Sequence, residues 1–264
     1  MKLIQVLSIV LTELSIGTLL MLCLVPPREI RSSFFTFTSL LSAVVTAAAL
    51  LLAKISLQSD WMAVRFLGLT VIGATAAYGA FRLSRPDLGR VLLITSGFVG
   101  FIFGLLPLAE QTLAARGIVT TAPGFFDASV LSGALLLGAA TVGMILGHWY
   151  LLMRRLSFEH LLRFTQIVLG AVGLRCLVVL ATVVLLRDYD PNLARTFIPS
   201  LWSIHGNLFF FLMRLLWGLA LPLVLGFMVL DCVQRKANQP ATGLLYVMEI
   251  SVLFGELFAA YLTI

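Results

Sequence analysis

Apolar and polar positions alternate along this chain on a long wavelength. Eight apolar stretches, at residues 3–25, 36–55, 62–83, 90–110, 128–153, 160–186, 201–230 and 243–263, are separated by short polar connections. Each reaches the ~18 residues that mark a bilayer-crossing helix rather than a buried helix of a soluble core. None shows the period-two alternation of a barrel strand. In lipid, only helices and closed barrels satisfy their own backbone. The pattern therefore predicts an all-α, polytopic transmembrane helical bundle of about eight spans, forming one domain over residues 1–264. The narrowest break, Lys54 to Asp60, still separates two helices, because one helix through both stretches would far exceed the bilayer thickness. The first stretch is too long for a cleavable signal peptide and lacks a small-residue cleavage site, so it reads as a span.

Composition sharpens this picture. The chain is 60% hydrophobic and 11% charged, with a mean hydropathy of +1.06. A soluble domain carries about 25% charged residues, so this chain could not cover a water-facing surface. The net charge of +6 would suit a nucleic-acid partner, but the basic residues flank spans. The positive-inside rule explains them and makes membrane lipid the expected surroundings, with no nucleic acid. Connections after the odd spans carry ten of these residues (Arg28, Arg31, Arg82, Arg85, Arg90, Arg154, Arg155, Arg163, Arg235, Lys236). The opposite side carries six (Lys2, Lys54, Arg65, Arg116, Arg187, Arg195). This bias predicts a multi-pass protein of the inner (cytoplasmic) membrane with both termini outside.

The connections are too short for a soluble domain. The longest run from Gln111 to Asp127 and from Arg187 to Pro199. Any chemistry must then lie inside the bundle or on its rim. Small residues at Gly97, Gly100 and Gly104, and at Gly133, Gly138, Gly143 and Gly147, mark close helix packing. Pro222, between Gly218 and Gly226, predicts a kink in the seventh span. Cys23, Cys176 and Cys232 form no CxxC pair and no cluster, and no metal site is expected.

Charges at membrane depth are costly and are normally paired or line a functional cavity. Glu13, Arg175 and Arg214 fall near the middle of the first, sixth and seventh spans, which predicts that Glu13 pairs with one of the two arginines. Glu249 and Glu256 lie seven apart on one face of the eighth span, a stripe that suits a proton path. The same stripe could instead hold one carboxylate against Arg175 or Arg214. These five residues are the candidate catalytic set.

His148, in a His-Trp-Tyr run, belongs to the membrane border after the odd spans, and His205 lies near the opposite border. Two imidazoles could hold a haem b, but these two sit at opposite depths. A quinone fits better, with His205, Trp202, Asn207 and His148 as candidate binding residues. Arg214, nine positions beyond His205, falls on nearly the opposite helix face. Other helices would therefore have to complete the site.

Three functions follow. The favoured one is a membrane subunit of an electron-transfer complex that exchanges electrons or protons with a quinone. Other protein subunits would then carry the redox centres. The second is a proton-coupled secondary transporter, against which the lack of a visible internal repeat counts. The third is a structural or assembly subunit. An intramembrane hydrolase is disfavoured: there is no HExxH or GxGD-like pair, and Ser203 and His205 are too close in sequence for a dyad.

Overall fold

The computed structural model describes residues 2–27, 29–57, 61–117, 123–152, 158–202 and 207–262. Among them every regular element is helical. The helices are α1 (Lys2–Leu22), α2 (Ser32–Leu57), α3 (Trp61–Arg82), α4 (Pro86–Ala115), α5 (Pro123–Leu152), α6 (Phe158–Tyr189), α7 (Pro191–Leu201), α8 (Leu208–Gln234) and α9 (Asn238–Leu262). All but α7 are long and apolar enough to cross a membrane, which makes eight membrane-length helices.

Hydroxyl side chains do not break these helices, because they bond within their own turn. Thr12 donates to the Ser8 carbonyl, Thr38 to Phe34, Thr46 to Ser42, and Thr165 to Leu161. Each turns a polar side chain inward on its own backbone, which costs little in lipid.

The helices form two groups of four. In one, α1 packs on α2, α2 on α3, α3 on α4, and α4 returns to α1. In the other, α5 packs on α6 and α9, and α8 packs on α9 and α6. The groups join where α1 meets α5 and α9. This puts α1 and α5 at the centre: 67% and 78% of their spanning windows are buried, against 28% for α8. Accordingly α5 is apolar around its whole circumference, as a fully surrounded helix is. The central contact is built from small residues. Gly17 lies on the Ala134 carbonyl and against Gly138 with no room for a side chain on either glycine. Gly218 and Gly255 bring α8 and α9 together in the same way.

Two spans contain a wide turn just before a proline. In α4 it covers Gly100–Leu105, ahead of Pro107; in α8 it covers Leu216–Ala220, ahead of Pro222. Here N–H groups reach back five residues, from Leu106 to Phe101 and from Leu221 to Leu216. A proline ring clashes with the carbonyl four residues back and supplies no N–H, and a π-turn absorbs both defects. The disturbance expected at Pro222 thus takes this form.

The connection expected from Arg187 to Pro199 is mostly helical. Asp190 accepts a bond from the Leu193 N–H at 3.1 Å and Pro191 opens α7, the cap-then-proline start of a helix. Among the described residues the seventh membrane-length helix runs Leu208–Gln234.

The end of α4 meets the last turn of α9 through Arg116, and this side of the bundle is here called the terminal face. The opposite side, where Glu29 of the first connection meets His160 at the start of α6, is called the odd-connection face.

Candidate functional site

The buried charges converge. Arg175 on α6 directs its guanidinium across the interior to Glu256 on α9. Its Nε donates to Glu256 Oε1 at 3.0 Å and its Nη2 to Oε2. Nη1 donates to the Ser129 carbonyl, to Ser129 Oγ at 2.9 Å and to Ser132 Oγ at 3.0 Å, all on α5. This is a two-pronged arginine–carboxylate pair with its remaining donors satisfied. It sits in the dry interior: Arg175 and Glu256 are each 2% exposed.

The pair rests on a glycine. A methyl at Gly133 would stand 2.9 Å from Glu256 Oε2 and 3.4 Å from Arg175 Nη2. Gly133→Ala is therefore expected to displace the carboxylate and destabilise the bundle by roughly 1–3 kcal/mol. Thermal unfolding in detergent measures this, and unchanged stability would refute it.

Two further charges join the pair. Glu13 on α1 and Arg214 on α8 are both buried and interact electrostatically with each other, with Arg175 and with Glu256. Glu13 was expected to pair with an arginine, whereas Arg175 pairs with Glu256; two acids and two arginines form one cluster. Its two halves differ in bonding. Glu256 is clamped, whereas Glu13 Oε2 and both terminal nitrogens of Arg214 have no hydrogen-bond partner among the described residues. Unpartnered groups at such depth are expensive.

A narrow crevice leads to this cluster from the terminal face. Its cavity volume is about 40 Å³, room for a few waters and well below the 300–1,000 Å³ typical of small-molecule sites, so a larger ligand enters only as the apolar walls part. Ala109, Leu113, Phe126, Val130 and Ala260 form apolar walls, while Glu13, Arg175 and Glu256 lie at the inner end. Arg116 also lines it. Its Nη1 donates to the carbonyls of Ala260 at 3.0 Å and Tyr261 at 3.2 Å, closing the C-terminal turn of α9. Its Nε and Nη2 are buried without partners among the described residues.

Glu249 does not join the cluster. It lies in the other half of α9, where the Thr141 hydroxyl of α5 donates to its Oε1 at 2.9 Å. Its Oε2 has no described partner. Thus the two glutamates on one stripe differ: one is locked by an arginine, the other held by a single hydroxyl.

The described histidines lie away from the crevice. His148 is exposed at the odd-connection face, with Nδ1 3.3 Å from the Tyr246 hydroxyl. His160 Nε2 meets Glu29 at 2.7 Å, tying the first connection to α6. His205 lies outside the described residues. Trp202 is 61% exposed and packs edge-on against Phe211. Asn207 precedes α8 without a side-chain capping bond. Neither Trp202 nor Asn207 lines the crevice, which opens among α1, α4, α5 and α9 instead.

The crevice adds residues that sequence reasoning passed over. Ser129 and Ser132 are three apart on α5, a spacing that puts two hydroxyls on one helix face. Arg116, the last polar residue of its span, was counted only as a flanking charge.

The fold and the cluster define a multi-spanning membrane protein with a charged centre at membrane depth. The chain matches no family model, and no curated protein or solved structure is significantly similar to it.

Proposed function

We propose that this protein is an integral subunit of an electron-transfer complex in the cytoplasmic membrane, and that the crevice binds the head of a quinone or quinol. The observation that carries this reading is an apolar-walled slot with Glu13, Arg175 and Glu256 at its inner end. Apolar walls favour a lipophilic carrier over a hydrated solute, which needs a polar path. Oxidation of a quinol releases two electrons and two protons. Glu13 takes these protons one after the other, and Arg175 and Glu256 hold a fixed field beside it. The electrons pass to a redox centre on another subunit. The residues that bind the carrier are then Glu13, Arg116 and the crevice walls, rather than the set around Trp202 and Asn207.

Lipid extracts of the purified protein are expected to contain a quinone. A photoreactive quinone should label peptides spanning Ile9–Glu13 and Ala109–Arg116, and Ala109→Trp should abolish the labelling. In the assembled complex, Glu13→Gln is expected to lower quinol oxidation by about a hundredfold with KM little changed. Absence of quinone together with labelling elsewhere would overturn the reading.

A further inference from the structure

The α5–α9 contact carries a row of polar pairs from the odd-connection face to the cluster. Nearest that face, Thr242 donates to the Gly147 carbonyl at 3.0 Å, and the Tyr246 hydroxyl lies 3.3 Å from His148 Nδ1. Next comes Thr141 with Glu249 at 2.9 Å. Last comes Arg175, which joins Ser129 and Ser132 of α5 to Glu256 of α9. Tyr246, Glu249 and Glu256 follow the i, i+3, i+10 positions of one helix stripe, and His148 and Thr141 are seven apart on the facing helix. The remainder of the contact is apolar, with Leu136, Leu137, Val142, Leu245, Met248 and Val252 buried.

We infer that this seam delivers protons between the odd-connection face and the crevice cluster, and that Glu249 is the carrier. It rests on the proposed function only in that the cluster must exchange protons with the crevice ligand. The argument is chemical. The one described bond to Glu249 comes from a hydroxyl, which donates to a carboxylate and accepts from a carboxylic acid. The site therefore holds either protonation state without rearrangement. Glu256 cannot serve in this way, because two arginine donors fix it as a carboxylate.

Ionisable groups with described side chains on the helices packed against α9 are Asp127, His148 and Tyr150 on α5, Glu13 and Cys23 on or beside α1, and Arg214, Asp231 and Cys232 on α8. Among the described residues none of them acts electrostatically on Glu249, so no neighbouring charge fixes its state. A proton that Glu13 has taken from the crevice ligand passes to Glu249, which releases it to the His148–Tyr246 pair at the odd-connection face. Glu249 and Glu256 are two turns apart, about 10 Å along the helix. A swing of the carboxyl side chain and one or two waters cover that distance.

Dicyclohexylcarbodiimide, which attacks protonated carboxyls in apolar surroundings, is the probe, applied to the full chain in nanodiscs. Peptide mass spectrometry is expected to place the adduct on Glu249 and not on Glu256, with yield falling as pH rises. In the intact complex, Glu249→Gln should slow proton release at the odd-connection face by about a hundredfold, and Glu249→Asp should restore most of it. Absence of an adduct on Glu249, or unchanged release in Glu249→Gln, overturns the route. The carbodiimide result on the unaltered chain stands even where the variant fails to fold. Quinone binding without a Glu249 adduct refutes the route alone. An adduct and Glu249-dependent proton release without retained quinone refute the crevice ligand alone.

Discussion

Glu256→Gln is expected to destabilise the bundle by about 3–5 kcal/mol, because it leaves the Arg175 guanidinium buried without its counter-charge. Arg175 keeps its bonds to Ser129 and Ser132, but neither serine carries a charge. The cluster would then hold two arginines against Glu13 alone. Removing both partners, as Arg175→Met with Glu256→Leu, should recover most of the loss, since a well-packed apolar pair often equals a buried ion pair in stability. The comparison separates scaffold from chemistry. A double variant that is stable but inactive in quinol oxidation assigns the pair a role in the reaction. One that is stable and fully active makes it a helix fastener. Reversible unfolding in mixed micelles gives the energies, and equal stability of the single variant and the parent would refute the expectation.

Gly17→Ala should be the most damaging methyl addition in the chain. The new carbon would overlap the Ala134 carbonyl oxygen on α5, which is backbone and cannot rotate away. The two central helices must separate, and the loss should reach or exceed the roughly 1–3 kcal/mol typical of overpacking. Separation of α1 from α5 also moves Glu13 away from Arg175, so crevice binding should fall with stability. Gly173→Ala provides the control. A methyl there meets nothing within 4 Å, and alanine favours the helix by up to about 1 kcal/mol. Equal effects of the two substitutions would show that α1 and α5 are not in the contact described.

The bundle was legible in the sequence because lipid imposes a strong rule: apolar runs of spanning length have almost no fold open to them but a helix. The glycines announced close packing for the same reason. Which partner each one meets was not legible. Gly133, which shares its span with Gly138, Gly143 and Gly147, makes room for an ion pair rather than for a backbone. Buried charges were recognised from depth alone, and their convergence at Glu13, Arg175, Arg214 and Glu256 follows from how α1, α6, α8 and α9 surround one volume. Periodicity within a single helix carries no such information. The crevice was not legible for a related reason. Trp202 and Asn207 are polar or aromatic neighbours in sequence, but the slot is shaped by apolar residues such as Ala109 and Val130. Nothing distinguishes those from any lipid-facing side chain until the helices are assembled. The start of α7 at Asp190-Pro191 was readable from capping chemistry and was obscured by the polar character of the segment.

The Arg175–Glu256 pair also sets an order of events at the ribosome. Arg175 precedes its partner by 81 positions. At ~5–20 residues per second, synthesis of the intervening chain takes about 4–16 s. For that time α6 holds a cation at membrane depth without its bonded carboxylate, with the serines of α5 and the more distant Glu13 beside it. An arginine so placed is costly, so α6 should linger in the insertion machinery, or in the care of a membrane chaperone, until α9 arrives. Truncation before α9 would then leave a nascent chain that quality-control proteases recognise by its unpaired charge.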